Sequence, residues 1–268
     1  MACVYLGTVP AHVAGNSVGT DWLELTAGVT TTAKDPKTGR EGNFVGPGRA
    51  RACVDYELES WLAPSPTGDV VFTSVIGGGE APGNEEWIMT PLGAVRYASA
   101  RMEIRASSQR VQINVGVGTA YVWTEQRERE KKEGGASSGS EGGAPHPSAA
   151  FDPRANDAGI EGGWVRLDKG ATVVVTPAAP ASPEAAAQAA VDRCAALAAD
   201  ARAIAREFGA PDAALGELAV RHVVARRVAR AACGIARVRA ESLAPSDKAT
   251  ALASAALAGD ATWRGLGQ

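Results

Sequence analysis

The sequence predicts an α+β protein whose two kinds of structure are segregated. An N-terminal all-β domain, either a sandwich or a solenoid-like fold, is followed by a C-terminal antiparallel helical hairpin plus a short third helix. Three observations predict this. Residues 1–180 hold 25 of the 31 glycines and five of the six tryptophans, set among short apolar runs with turn residues between them, which is the pattern of many short strands. Residues 181–240 hold 23 alanines and only three glycines, a composition that favours helix. The apolar period also changes near the same point, from steps of two to steps of three and four. The expected domains are therefore 1–180 and 181–268.

The strands are read from alternation. Trp87-Ile88-Met89-Thr90, Ala94-Val95-Arg96-Tyr97, Arg101-Met102-Glu103-Ile104, Val111-Gln112-Ile113-Asn114-Val115 and Thr119-Ala120-Tyr121-Val122-Trp123 each fit one. Side chains along a strand point to opposite faces in turn, so Met102 with Ile104, and Val111 and Ile113 with Val115, each give a sheet an apolar face. Met1 to Leu6 also reads as a strand. Arg127 to Lys132 is a run of charges that leads into glycine, serine and a proline-flanked His146. This tract, at about 127–158, cannot bury enough apolar area to offset its chain entropy and is expected to be a disordered insertion. Strand patterning resumes in Trp164-Val165-Arg166-Leu167 and Ala171-Thr172-Val173-Val174-Val175, so the insertion interrupts one domain.

The helices follow from Ser182-Pro183-Glu184, a capping hydroxyl before a proline that has no amide to leave unpaired. Val191, Cys194, Leu197, Ala201, Ile204 and Phe208 then fall on one stripe. Gly209-Ala210-Pro211-Asp212 ends that helix and starts the next, where Val220, Val224, Val228, Ala231, Ile235 and Val238 keep the period to about Ala240. Pro245-Ser246-Asp247 opens a third helix expected to fade at Gly259. A short connection makes the first two antiparallel.

Composition narrows the function. The chain has 268 residues, ample for a buried core, and 27 basic against 30 acidic side chains give a formal charge of −3. No whole-chain attraction to nucleic acid or anionic membrane follows. No apolar run is long enough for a spanning helix. The three histidines, His12, His146 and His222, lie far apart, so neither a histidine metal centre nor a cofactor is expected.

The four cysteines, Cys3, Cys53, Cys194 and Cys233, lack the spacing of a zinc knuckle or a thioredoxin-type pair. Two fall in each domain, which favours Cys3–Cys53 and Cys194–Cys233 among the three possible pairings, against the alternative of four buried thiols. In an antiparallel hairpin Cys194 lies 17 residues before Pro211 and Cys233 22 after it, a mismatch of about 7 Å along the axis that the turn can absorb. Disulfides imply an oxidising compartment, and a periplasmic or secreted location is expected. No export signal precedes the first strand. A trimmed mature form, a lipidated Cys3, or a cytosolic protein with free thiols would each account for that.

The β half resembles a known family. Trp22, Leu25 and Gly28 stand at the spacing of the Trp-x-x-Leu-x-x-Gly opening of FecR-like domains, the periplasmic sensor domain of ferric-citrate regulation. Val45-Gly46-Pro47-Gly48-Arg49-Ala50-Arg51-Ala52 looks like the segment that follows, and Thr90-Pro91-Leu92-Gly93 before a strand is similar to the family's Thr-Pro-x-Gly. Val111 to Val117 with Ala120-Tyr121-Val122 resembles its valine repeat, and Leu167-Asp168-Lys169-Gly170 its late Leu-x-x-Gly turn. The likeness covers about residues 3–176 and rests on the shared order of the pieces. The chain departs from the family at Ser99-Ala100-Arg101-Met102, where Gly-Thr-Phe is usual, in the insertion, and in the helical C-terminal third. The departures weigh against a sigma-factor regulatory role more than against the fold. The resemblance implies a sensing or scaffolding role in the cell envelope.

Individual candidates are read against ordinary alternatives. Gly77-Gly78-Gly79 lacks the Lys-Ser/Thr of a phosphate cradle and reads as a hairpin turn. His12 and Ser17 have no pattern that positions them as base and nucleophile, and His222 sits among arginines on the second helix. Glu57, Glu59, Glu85 and Glu86 could supply paired carboxylates, but read better as charges on a solvated face. Arg226, Arg230 and Arg237 share a helix face and are the candidate partner-binding residues, with pairing to Asp192, Asp200 or Glu207 of the first helix as the alternative. Trp22, Trp61, Trp87, Trp123 and Trp164 are expected mainly in the core, with any exposed one available to a binding face. The expectation is a non-enzymatic protein that binds a protein or glycan partner in the envelope, with no nucleic acid. The alternative is a structural subunit whose helices self-associate as a homo-oligomer.

Overall fold

The computed structural model describes residues 22–34, 41–54, 58–75, 85–124, 164–177, 181–208 and 215–264. Among these, thirteen strands form two sheets and three helices follow, the segregated α+β arrangement expected. The strands are β1 (Leu23–Leu25), β2 (Thr30–Lys34), β3 (Glu41–Val45), β4 (Gly48–Val54), β5 (Leu58–Pro64), β6 (Val70–Val75), β7 (Glu86–Met89), β8 (Ala94–Tyr97), β9 (Ala100–Ala106), β10 (Val111–Gly118), β11 (Ala120–Trp123), β12 (Val165–Leu167) and β13 (Thr172–Val175). The helices are α1 (Pro183–Phe208), α2 (Leu215–Glu241) and α3 (Asp247–Arg264). The strand expected at Met1–Leu6, the insertion at 127–158, Gly77–Gly79, Cys3, His12 and His146 lie outside the described residues. The described residues up to Tyr121 with Leu167–Thr176 make one compact unit. Those between Val122 and Arg166, with those from Pro177 on, make a second.

One sheet has seven strands in the order β1-β4-β5-β7-β8-β11-β12, and the other has six in the order β13-β10-β9-β6-β3-β2. The registered pairs are antiparallel except β5 with β7. The sheets stack as a sandwich through β5 against β6 and β9, and Gly48 of β4 abuts the Val70 side chain of β6. Between them lie Ala50, Leu62, Ile88 and Val95 from the first sheet and Phe44, Val70, Phe72, Met102, Ile104, Val111 and Ile113 from the second, all buried. Each large side chain of this kind contributes about 1.5–3 kcal/mol on leaving water. In β9 and β10 burial alternates as the apolar period requires. In β7 and β8, near the middle of their sheet, every residue is buried.

Turn chemistry joins the strands. Between β7 and β8, Thr90 Oγ1 donates to the Gly93 carbonyl at 2.6 Å and accepts the Gly93 N–H at 3.0 Å. After β12, Ala171 N–H donates to the Asp168 carbonyl at 2.9 Å, with Gly170 at φ 84°, a conformation that disfavours any side chain.

In the helical unit each helix packs on the other two. Ser182 Oγ accepts the Ala185 N–H at 3.2 Å and Ser246 Oγ the Ala249 N–H at 3.1 Å, so both serines cap as the sequence suggests. Cys194 and Cys233 form a buried disulfide with 4.5 Å between their Cα atoms, the pairing expected for this half of the chain. Around it Ala187, Ala190, Ala198, Ala229, Ala232 and Ala236 are buried. Two expectations need correction. Val220, placed on the buried stripe of α2, is 44% exposed; early in α2 the buried side carries Leu218, Val228 and Ala229, whereas residues 231–238 are buried all round. The third helix does not fade at Gly259 but runs to Arg264, since close packing at Gly259 supplies what its poor helix propensity lacks.

Candidate functional site

The carboxylates expected on a solvated face are not there. Glu59 and Glu86 are buried, and Glu85 is only 20% exposed; Glu57 lies outside the described residues. Parallel pairing of β5 with β7 carries them to the centre of the seven-stranded sheet, a placement that alternation alone does not reveal. Their environment is polar. Tyr97 Oη donates to Glu86 Oε2 on the face toward the six-stranded sheet. On the opposite face Glu59, Trp87 and Arg96 stand in one row, and Arg96 Nη1 donates to Glu85 Oε1 at 2.6 Å.

That face is built of arginines and aromatic rings. The Arg96 guanidinium lies 4.2 Å from the centre of the Tyr121 ring, that of Arg51 5.4 Å from Trp61, and that of Arg49 5.8 Å from Trp22. Ring faces attract cations, and ion pairing compensates the loss of hydration, so the arrangement lets a sheet centre hold charge. Trp61, Trp87, Trp123 and Trp164 are buried and Trp22 is half-buried. The tryptophans therefore serve packing.

The outward face of the six-stranded sheet is different. Thr32, Asn43, Thr73, Glu103, Asn114 and Thr172 stand opposite one another across β2, β3, β6, β9, β10 and β13, one residue per strand. At the usual strand spacing this row is about 24 Å long. Thr32 Oγ1 donates to Asn43 Oδ1 at 2.7 Å, and Asn114 Oδ1 accepts from Thr172 Oγ1 at 3.0 Å and from Gln112 Nε2 at 3.3 Å. The hydrogen bonds hold the side chains in line. Arg105 and Glu103 sit 3.9 Å apart with side chains 54% and 44% exposed, and Arg101 and Arg110 flank them in water. Chemically this is a row of donors and acceptors, half-buried along its length and exposed at Thr172, suited to binding a polar surface. Sequence reading missed it, because alternation marks Thr73, Glu103 and Asn114 as outward but only strand order and register bring them together.

The partner candidates on α2 are placed unevenly. Arg226 and Arg230 are half-buried, and the Arg230 guanidinium lies 5.8 Å from the Trp263 ring centre. Arg237 is buried and pairs with Asp260 of α3, Nη1 to Oδ2 at 3.4 Å. It faces into the helical unit. Toward α1, the neighbouring Arg221 Nη1 pairs with Glu207 Oε1 at 3.6 Å. His222, half-buried on the same helix, has its pKa lowered, first because burial disfavours its cation and second because Arg226 is near. Among the described residues no group of three or more His, Cys, Asp or Glu is placed to hold a metal ion. No helix among them is long and apolar enough to cross a membrane.

No protein-family model matches the sequence, and no curated protein matches it. Two crystal structures of a candidate anti-sigma factor from Parabacteroides distasonis ATCC 8503 are partly similar, with TM-scores of 0.36 and 0.35 and identities of 10% and 11%. In both cases 60% of this chain is covered, and the chain spans 57% of the length of that protein.

Proposed function

We propose that the chain is a non-enzymatic sensing or scaffolding protein of the cell envelope that binds a protein or glycan through its FecR-like β sandwich. The observation that carries the reading is the solvent-facing row from Thr32 to Thr172, which presents ordered polar groups across a whole sheet. The resemblance supports it: the Thr-Pro-x-Gly piece forms the clamped turn at Thr90–Gly93, and the Leu-x-x-Gly piece the turn at Asp168–Ala171. An extracytoplasmic location is supported by the Cys194–Cys233 disulfide. The test is site-specific photo-crosslinking in the native host, with the probe at Thr73 or Asn114 and a control probe at exposed Glu184. A discrete adduct from the row alone is expected; identical products from all three positions would remove the reading. Alkylation of thiols in intact cells tests location, since a reduced, reactive Cys194–Cys233 pair would exclude an oxidising compartment.

A second reading is favoured by Val220, Val223 and Leu257, apolar residues 43–47% exposed on α2 and α3. It makes the chain a structural subunit that self-assembles through its helices, and the mass of the full chain in solution distinguishes it.

A further inference from the structure

The backbone of α3 lies directly on the disulfide between α1 and α2. A Cβ at Gly259 would overlap Cys194 Sγ and come within 3.6 Å of Cys233 Sγ and 3.8 Å of Cys194 Cβ. Glycine allows α3 to sit this close. The turns on either side of Gly259 carry the other attachments of the helix. Asp260 accepts from Arg237 Nη1 at 3.4 Å and from Trp263 Nε1 at 2.9 Å, the Arg230 guanidinium lies over the Trp263 ring, and Ala256, Asp260 and Trp263 are buried. The floor of this seat is the pair of bonded sulfurs.

We propose that the Cys194–Cys233 bond is a redox latch for α3, and that breaking it undocks α3 from α1 and α2. This does not depend on the function proposed above. With a dithiol as reductant, the S–S bond breaks and two S–H bonds form from the two electrons and two protons the dithiol supplies; the dithiol closes to its own disulfide. Two thiols cannot stay as close as two bonded sulfurs, so one must move through an interior packed without voids. Ala190, Ala198, Ala229, Ala232 and Ala236 are buried along α1 and α2, so a sulfur moving among them meets packed side chains. The direction without an opposing side chain is toward Gly259, and a sulfur moving that way lifts α3. The Arg237–Asp260 pair and the Trp263 contact part with it.

The test is hydrogen exchange on the full chain, oxidised and after refolding in excess dithiothreitol. Protection in residues 247–264 is expected to fall further than that of α1 and α2, which share only the general loss of stability that removing a cross-link brings. A second arm separates the latch from general stabilisation. Gly259→Ala in the oxidised chain is expected to reproduce the loss in α3 with the bridge intact. In the Cys194→Ala, Cys233→Ala background the same substitution is expected to cost nothing, because the new methyl takes the room the sulfur leaves. The proposal is overturned if α3 stays protected in the reduced chain, if all three helices lose protection by the same factor, or if Gly259→Ala has the same effect with and without the sulfurs.

Discussion

Thr90 shows how much one side chain can do in a buried turn. Its hydroxyl donates to the Gly93 carbonyl and accepts the Gly93 N–H, and no part of the residue reaches solvent. Thr90→Ala removes the hydroxyl and leaves the Gly93 N–H buried without that partner, a loss of about 1–3 kcal/mol. Urea unfolding should show it, and Thr90→Ser should recover most of it. Arg96 is a stronger case, since it is held by Glu85 and by the Tyr121 ring. Arg96→Met takes the ion pair from Glu85 and should cost about 3 kcal/mol, toward the lower end for a broken buried pair because Glu85 keeps some water. Arg96→Met with Glu85→Gln should cost less than Arg96→Met alone; an equal or larger cost would mean that the pair is not what holds this face together.

The elements differ in how far the sequence announces them. Strands β7 to β13 fall where the sequence places them, with alternating burial in β9, β10 and β13, and the caps at Ser182 and Ser246 mark helix starts. Periodicity states which face a residue takes but not which strand lies beside it, so the parallel pairing of β5 with β7 was illegible and the buried state of Glu59 and Glu86 with it. Gly259 misleads for a related reason: as a local signal it ends a helix, whereas the disulfide beneath it makes it a packing position. The disulfide itself was legible as one of the pairings an antiparallel hairpin allows. It joins residues 39 apart, so Cys194→Ala with Cys233→Ala should lower stability by about 4 kcal/mol on the loop-entropy account. Equilibrium denaturation measures this, and a loss under 1 kcal/mol would show that the unfolded chain is little restricted by the bridge.

For the molecule as a whole, the fold class was readable and the candidate surface was not. Composition separates the glycine-punctuated sheets from the alanine-rich helices, but the row from Thr32 to Thr172 draws one residue from each of six strands and exists only once they are ordered. The same scale decides between the two readings of function. Val220, Val223 and Leu257 are exposed, yet single apolar side chains on a surface are common and do not by themselves make an interface. A net charge of −3 adds modest repulsion between copies. The full chain is therefore expected to be monomeric in light scattering at micromolar concentration, and Val223→Glu with Leu257→Glu should change neither its mass nor its stability by more than about 0.5 kcal/mol. If the natural chain is instead a dimer or larger and the two substitutions return it to a monomer, the exposed helix residues are the seam of an assembly, and the polar sheet face loses its place as the principal contact surface.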